Sequence, residues 1–412
     1  MKPKLLTTLP ETTPAVVGSD LLAGLTVAMI AVPLSIAIAI ASGAPPATGL
    51  ITAIVGGFLI SLLGGSRVQI GGPTGAFIVV VYAVIARHGY DGLVLATLMA
   101  GLILLLGGLV RAGNLIAHVP EAVINGFTIG IAVIIAASQI NDLLGLGITK
   151  VPADFVEKVP ALWAARGNLS WPALGLGLAT LVTIVALKRL LPRWPGLIAA
   201  MALASLAVVA LQLPVDTVQS RYGALPSHLP MPGLPAMPLA RLLELLPSAL
   251  TIAFLAAIES LLSAMVADRM IESRHRPNAE LLAQGAANLG SALFGGLPAT
   301  GAIARTATNV RAGGKTPLAG IFHAMIILLV MLLAAPLAGY LAMPALAALL
   351  LVTAWTMSEP DKWRGYWRAP IGERVLLLVT LLLTVLSSLT VAIGVGVALG
   401  LALRGWEKRT SA

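Results

Sequence analysis

Between two apolar runs of near-spanning length, residues 295 to 310 read GGLPATGAIARTATNV, too polar and too broken to cross a bilayer as a plain helix. Pro298 and the glycines beside it stop a helix, and backbone released at membrane depth is tolerated only where protein or a water-filled cavity satisfies it. After the break, Thr300, Gly301 and Ala302 start a short helix in this reading. Its first N–H groups and positive dipole end face the break, with Arg305 roughly one turn further along. That is the outline of an anion site.

A second stretch shares this grammar. Residues 64 to 81 read GGSRVQIGGPTGAFIVVV, again placing glycines and a proline before a Thr-Gly-Ala triplet, here Thr74, Gly75 and Ala76. The two triplets stand at nearly the same offset as Pro33 from Glu259 and Pro120 from Pro344. Landmarks repeated at one offset indicate two copies of a unit, and interrupted segments in matching positions of two halves point to a transporter's binding site.

Composition sets the class. Of 412 residues, 58% are hydrophobic and 10% charged, with a mean hydropathy of +0.96, whereas a soluble domain carries about 25% charged residues. The chain is an all-α polytopic membrane protein. Apolar segments fall near 21–41, 49–63, 74–86, 93–110, 119–140, 172–187 and 195–213, then 245–266, 280–294, 301–310, 317–335, 342–357, 374–388 and 389–403. Seven plus seven crossings make the two repeats inverted, and several are shorter than the ~20 residues of a straight span, as half-helices are. The expected layout is a cytoplasmic tail (1–20), a first repeat (21–213), an extracellular linker (214–240), a second repeat (241–404) and a cytoplasmic tail (405–412). Residues 1–20 hold Lys2, Lys4 and Glu11 but no apolar core, so they read as a tail and not a signal peptide.

Charge supports that orientation. Threading the segments from an inside N-terminus leaves Arg87, Lys150, Lys158, Arg166, Arg221 and Arg241 outside, Arg305 within the membrane, and the rest of the 26 Lys and Arg residues inside. This is the positive-inside pattern, so the net charge of +9 needs no nucleic acid. The expected location is a bacterial inner membrane with both termini cytoplasmic.

Other chemistries are set aside. The chain has no cysteine, and its five histidines, His88, His118, His228, His275 and His323, lack metal-ligand spacing. Gly314-Lys315-Thr316 resembles the end of a phosphate-binding loop, but Asn309 stands where the first glycine is needed. No cofactor and no metal are expected beyond a coupling ion. The Gly126/Gly130 and Gly396/Gly400 pairs read as close helix packing.

Three long motifs carry a resemblance to the membrane domain of the sulfate permease (SulP) family of anion transporters. They are AVPLSIAIAIASGAPPATGL (31–50), IESLLSAMVADRM (258–270) and PATGAIARTATNVRAGGKTPLAG (298–320). The resemblance implies a seven-plus-seven inverted repeat shared with nucleobase permeases, with short strands and half-helices at segments 3 and 10. It implies a core of segments 1–4 and 8–11 holding the site, a gate of 5–7 and 12–14, elevator-like motion and a homodimer. Arg305 falls on the arginine that the family associates with the anion. Family members usually continue into a cytoplasmic STAS domain, whereas this sequence ends at Ala412, the domain being naturally absent or removed. Leu34 and Ala304 replace a glutamine and a serine common in the family, which argues against assuming sulfate.

The expected function is secondary active transport of a small anion, either a carboxylate or dicarboxylate, bicarbonate or sulfate. Thr74, Gly75, Ala76, Thr300, Gly301, Ala302 and Arg305 are the expected binding residues. Glu259, on an apolar helix among Phe254, Leu255, Ile258, Leu261 and Leu262, must be neutralised. Three readings of it stay open: a proton carrier, a sodium ligand together with Ser260 and Ser263, or a structural partner of Arg305. The rival functions are a passive anion channel of the same fold, a nucleobase permease and a membrane enzyme. A permease for a neutral ring would place Arg305 awkwardly, and an enzyme would want a paired acid and base in the core.

The orientation is tested by two cysteine variants of this cysteine-free chain, Arg166→Cys and Arg221→Cys. Both are expected to react with an impermeant thiol reagent added outside intact cells. Protection of both, with labelling of Arg189→Cys instead, would invert the topology.

Overall fold

The computed structural model describes residues 2–116, 120–191, 196–235, 241–387, 391–392 and 394–400. His118, the end of the expected linker (236–240), residues 401–403 and the expected tail at 405–412 lie outside the described residues.

The protein is mostly helical. Its main helices are α1 (Pro14–Ala41), α2 (Pro46–Leu63), α3 (Ile78–Leu109), α4 (Glu121–Leu144), α5 (Phe155–Ala164), α6 (Trp171–Leu190) and α7 (Gly196–Leu211). Then follow α8 (Leu242–Ile271), α9 (Pro277–Leu293), α10 (Ile303–Arg311), α11 (Leu318–Gly339), α12 (Met343–Met357) and α13 (Ile371–Leu386). Among the described residues, seven helical stretches have the length and apolarity to cross a bilayer: 14–41, 46–63, 75–109, 121–144, 171–190, 242–271 and 318–339. The chain is an integral membrane protein.

Sequence boundaries and structure part company at three places, each for a local reason. The expected N-terminal tail is partly folded, because Pro14 sits at the first helical turn, where its missing N–H costs nothing, and starts α1 there. The residues before it are pinned: the Lys4 amide donates to the Gly64 carbonyl at 2.8 Å, and the Arg276 guanidinium donates to the Lys2 carbonyl at 2.8 Å. The apolar runs at 74–86 and 93–110 join end to end through α3, broken only where Gly89 takes φ 72°. Finally, Thr300 and Gly301 are extended rather than helical, and α10 begins at Ile303.

The helices fall into two packing groups. In one, α3 runs along α9 and α8, while α11 packs on α1 and α2, and α10 lies against α8 and α1. In the other, α4 packs on α13 and α12, α12 on α6, and α6 on α7. Contact is close enough to demand small residues. A Cβ added at Gly126 would lie 2.3 Å from the Leu377 carbonyl oxygen, and one at Gly130 would lie 2.7 Å from the Thr384 side chain. The Gly126/Gly130 spacing thus seats α4 against α13.

Gly126→Val is expected to lower the thermal stability of the detergent-solubilised protein by the roughly 1–3 kcal/mol typical of overpacking. Gly175→Val is the matched control. Nothing lies within 4 Å of a Cβ at that position, so its melting temperature should stay close to wild type.

Candidate functional site

The two breaks expected from the sequence meet. Gly71–Gly72 (β1) and Thr300–Gly301 (β2) form a two-residue antiparallel pair, Gly71 opposite Gly301 and Gly72 opposite Thr300. Unpaired backbone at membrane depth costs several kcal/mol per group, so each break satisfies the other. Because the strands are antiparallel, the chain leaves the pair in opposite directions. One exit runs through Thr74 into a 3-10 turn (Gly75–Phe77) and α3, the other through Ala302 into α10. Two helix starts therefore flank one strand pair. The amides of Gly75, Ala76, Ile303 and Ala304 bond to no carbonyl among the described residues, so both starts keep donors available.

Arg305 is 3% exposed and lies beneath β1. One guanidinium nitrogen, Nη2, donates to the Pro73 carbonyl, and another, Nη1, has no partner among the described residues. A Cβ at Gly72 would lie 2.5 Å from Nη1, and Gly72 has φ 147°, so only glycine lets the strand ride over the guanidinium. No ion pair within 4 Å joins Arg305 to Glu259 among the described residues. Glu259 instead accepts a 2.8 Å hydrogen bond from the Thr74 hydroxyl and remains partly accessible. The structural ion pair considered from sequence is therefore not formed in this state.

The remaining expected site residues are distributed differently. Thr300 is fully buried, and its hydroxyl donates to the Ala256 carbonyl of α8 at 2.9 Å. The Ala302 amide donates to the Ile70 carbonyl at 2.8 Å. Both groups hold the break together and are not free to meet a ligand. Ser263 shares a 3.1 Å hydrogen bond with the Thr306 hydroxyl, and Ser260 donates to Glu280 at 2.8 Å. The hydroxyls considered as sodium ligands beside Glu259 are thus engaged elsewhere, whereas Thr74 supplies an oxygen next to it. Among the described residues there is no group of three or more His, Cys, Asp or Glu side chains that could hold a metal ion.

Two further features escape sequence reasoning. Gly75 is covered by the second packing group, with Met357 Sδ, Ile135 and Thr353 within 3.0–3.8 Å of where its Cβ would be. These are ordinary apolar-helix residues with no local signal. Gln69, Glu280 and Gln284 are buried polar residues that form a cluster with Ser260 behind β1. Their signal was present in the sequence, Glu280 and Gln284 as polar side chains within an apolar segment and Gln69 as one within the first break.

Paired interrupted helices with free amides at their starts, an arginine under the pairing and a partly accessible carboxylate thus meet at one place in a helical membrane protein. The chain belongs to the sulfate permease family, whose family model matches residues 17–380. It is 41% identical over 362 residues to the putative sulfate transporter YvdB of Bacillus subtilis, covering 88% of this chain and 68% of that one. The solved transmembrane domain of a cyanobacterium bicarbonate transporter, BicA, is 31% identical and superposes with a TM-score of 0.83, covering 93% of this chain and 98% of that one. The murine anion transporter Slc26a9 in its inward-facing state shares the fold, with a TM-score of 0.87 at 19% identity over 98% of this chain and 71% of that one. The chain spans about two thirds of the length of the curated relatives it matches, 68% of YvdB and 65% of a probable sulfate transporter of Mycobacterium tuberculosis.

Thr74→Val removes the donor to a carboxylate inside the protein. It is expected to lower stability by the roughly 1–3 kcal/mol of an unmet buried acceptor, measured by thermal unfolding in detergent without substrate. Glu259→Gln keeps an acceptor oxygen for the hydroxyl and should melt near wild type.

Proposed function

We propose that this protein is a secondary active transporter of small anions that works as a proton-coupled symporter by an elevator-type motion. The observation that carries the reading is Arg305, a buried guanidinium that among the described residues has no carboxylate partner and one nitrogen without a hydrogen bond, under two helix starts whose first amides bond to no carbonyl. A cation at that depth is unfavourable by about 2.5–3.5 kcal/mol on insertion scales and is retained for a partner. An anion resting on the amides of Gly75, Ala76, Ile303 and Ala304 would be that partner. Bicarbonate, sulfate and small carboxylates all fit this chemistry, and relatives named as sulfate and bicarbonate transporters support an oxyanion.

The working architecture is fourteen segments in two inverted repeats, supported by the repeated landmarks and by the antiparallel meeting of the two breaks. The first packing group, which bears every site residue, acts as the moving core. The second, whose Ile135, Thr353 and Met357 close over Gly75, acts as the gate. Both termini face the cytoplasm of a bacterial cell, and the unit is a homodimer.

Coupling is assigned to Glu259. An anion entering a negative-inside cell opposes about 2.3 kcal/mol per charge per 100 mV, and one accompanying proton cancels this for a monovalent substrate. The Thr74 hydroxyl donates to the carboxylate. An anion reaching the Thr74–Ala76 turn would compete for that hydroxyl and leave Glu259 to be neutralised by a proton.

Liposome uptake of labelled bicarbonate, sulfate, succinate and acetate under imposed gradients tests the whole reading. An inward proton gradient should drive accumulation without sodium. Arg305→Ala should reduce apparent affinity about tenfold or more, in line with roughly 1.5–3 kcal/mol for a hydrogen bond to a charged group, while remaining monodisperse. Glu259→Gln should exchange substrate but not concentrate it. Sodium-dependent uptake indifferent to the proton gradient would replace the proton by sodium, with Glu259 and Thr74 as oxygen donors. Gradient-independent conductance would make the protein a channel.

A further inference from the structure

Behind the strand pair lies a carboxylate that the transport chemistry above does not use. Glu280, in the first turn of α9, is fully buried and makes no ion pair among the described residues. Four donors converge on it. Its Oε2 accepts from the amides of Gly65 (2.9 Å) and Ser66 (3.2 Å), and its Oε1 accepts from the Ser260 hydroxyl (2.8 Å) and Gln284 Nε2 (2.9 Å). Such a set of neutral donors is what a buried carboxylate without a cation requires.

The cluster reaches the site through one side chain. The Ser260 hydroxyl, adjacent in sequence to Glu259, accepts from Gln284 Nε2 at 2.7 Å and from Gln69 Nε2 at 2.9 Å. Gln69 is 4% exposed, leads directly into β1, and lies so close to β2 that a Cβ at Gly301 would fall 1.5 Å from its Nε2. One amide therefore touches β2 and is tied to the helix that carries Glu259. Its anchor, Glu280, also grips the start of the segment that runs into β1. A side chain filling space alone would need none of these polar contacts, and an apolar residue of the same size would fill the position at less desolvation cost.

We propose that Gln69 is a positioning residue of the anion site, held by the Ser260–Glu280–Gln284 cluster, and that it sets the spacing between the strand pair and the helix bearing Glu259. The inference rests on the transport reading above. The anion's donors come from the two ends of the strand pair, and the coupling carboxylate comes from α8. A shift of either relative to the other changes affinity before it changes the fold.

The test is uptake kinetics on reconstituted protein, with thermal unfolding measured on the same samples. Gln69→Leu keeps the volume and removes the hydrogen bond. Its KM should rise about five- to tenfold, the scale of one hydrogen bond between buried groups, with maximal rate near wild type. Thr180→Val deletes a buried hydroxyl bond to the Leu176 carbonyl in α6 and should lower the melting temperature without moving KM. If Gln69→Leu does not survive extraction, Gln69→Asn keeps the amide one methylene short and is expected to show the same KM rise. A second arm separates positioning from filling. Gly301→Ala forces the Gln69 amide away, and the Gln69→Ala/Gly301→Ala double variant relieves the clash. Restored stability with KM still raised supports positioning, whereas KM restored to wild type, or unchanged in Gln69→Leu and Gln69→Asn, overturns it. Absence of uptake of any anion by the wild-type protein would instead remove the transport reading and leave the variants' melting behaviour unaffected.

Discussion

Two strands of two residues each, meeting inside a membrane protein, are the constraint from which the rest of this structure follows. A helix interrupted in hydrocarbon exposes amides and carbonyls that lipid cannot satisfy. Residues 71–72 and 300–301 answer that problem for each other, and side chains finish the accounting around them. Thr300 bonds the Ala256 carbonyl, the Ile70 amide bonds Thr306, and Asn288 bonds both the amide and the carbonyl of Ala299. With those groups used, the amides of Gly75, Ala76, Ile303 and Ala304 at the two helix starts still have no carbonyl partner among the described residues.

The same pairing explains why the charges near it are separated. Arg305 is turned under β1 to the Pro73 carbonyl, and Glu259 is turned to Thr74. Had the two formed a direct ion pair, the positive field at the helix starts would be spent on the protein's own carboxylate. Pro73, Thr74 and the glycine at position 72 hold them apart, each with its own partner. The separation depends on a strand that passes over a guanidinium without a Cβ in the way.

Much of the architecture was legible in the sequence because membrane folding leaves strong one-dimensional marks. Apolar length, clustered cations and paired Gly/Pro interruptions act through nearest neighbours and through the bilayer, so they survive without knowledge of contacts. The breaks at 64–73 and 295–302 and the buried Arg305 belong to this class. Local signals start the helix at Thr300, too early, because they cannot show that residues 300–301 have a strand partner more than half the chain away. The contacts of the expected tail at 1–20 are hidden for the same reason, since the carbonyl that receives the Lys4 amide belongs to Gly64.

By itself, the sequence determined that the chain resides in a membrane, where its helices are interrupted, and which cation stands beside the second break; each of these follows from composition and local sterics. Only the tertiary structure decided which donors stay free. Thr300, Gly301 and Ala302 look equivalent to Thr74, Gly75 and Ala76 in one dimension, yet the Thr300 hydroxyl and the Ala302 amide are consumed by α8 and by Ile70, while Thr74 faces Glu259. Ser260 and Ser263 look like neighbours of Glu259, yet they bond Glu280 and Thr306. The physical reason is that a polar group's availability is a property of what is left after its hydrogen bonds are made, and those partners are chosen in space, by segments far apart in the chain.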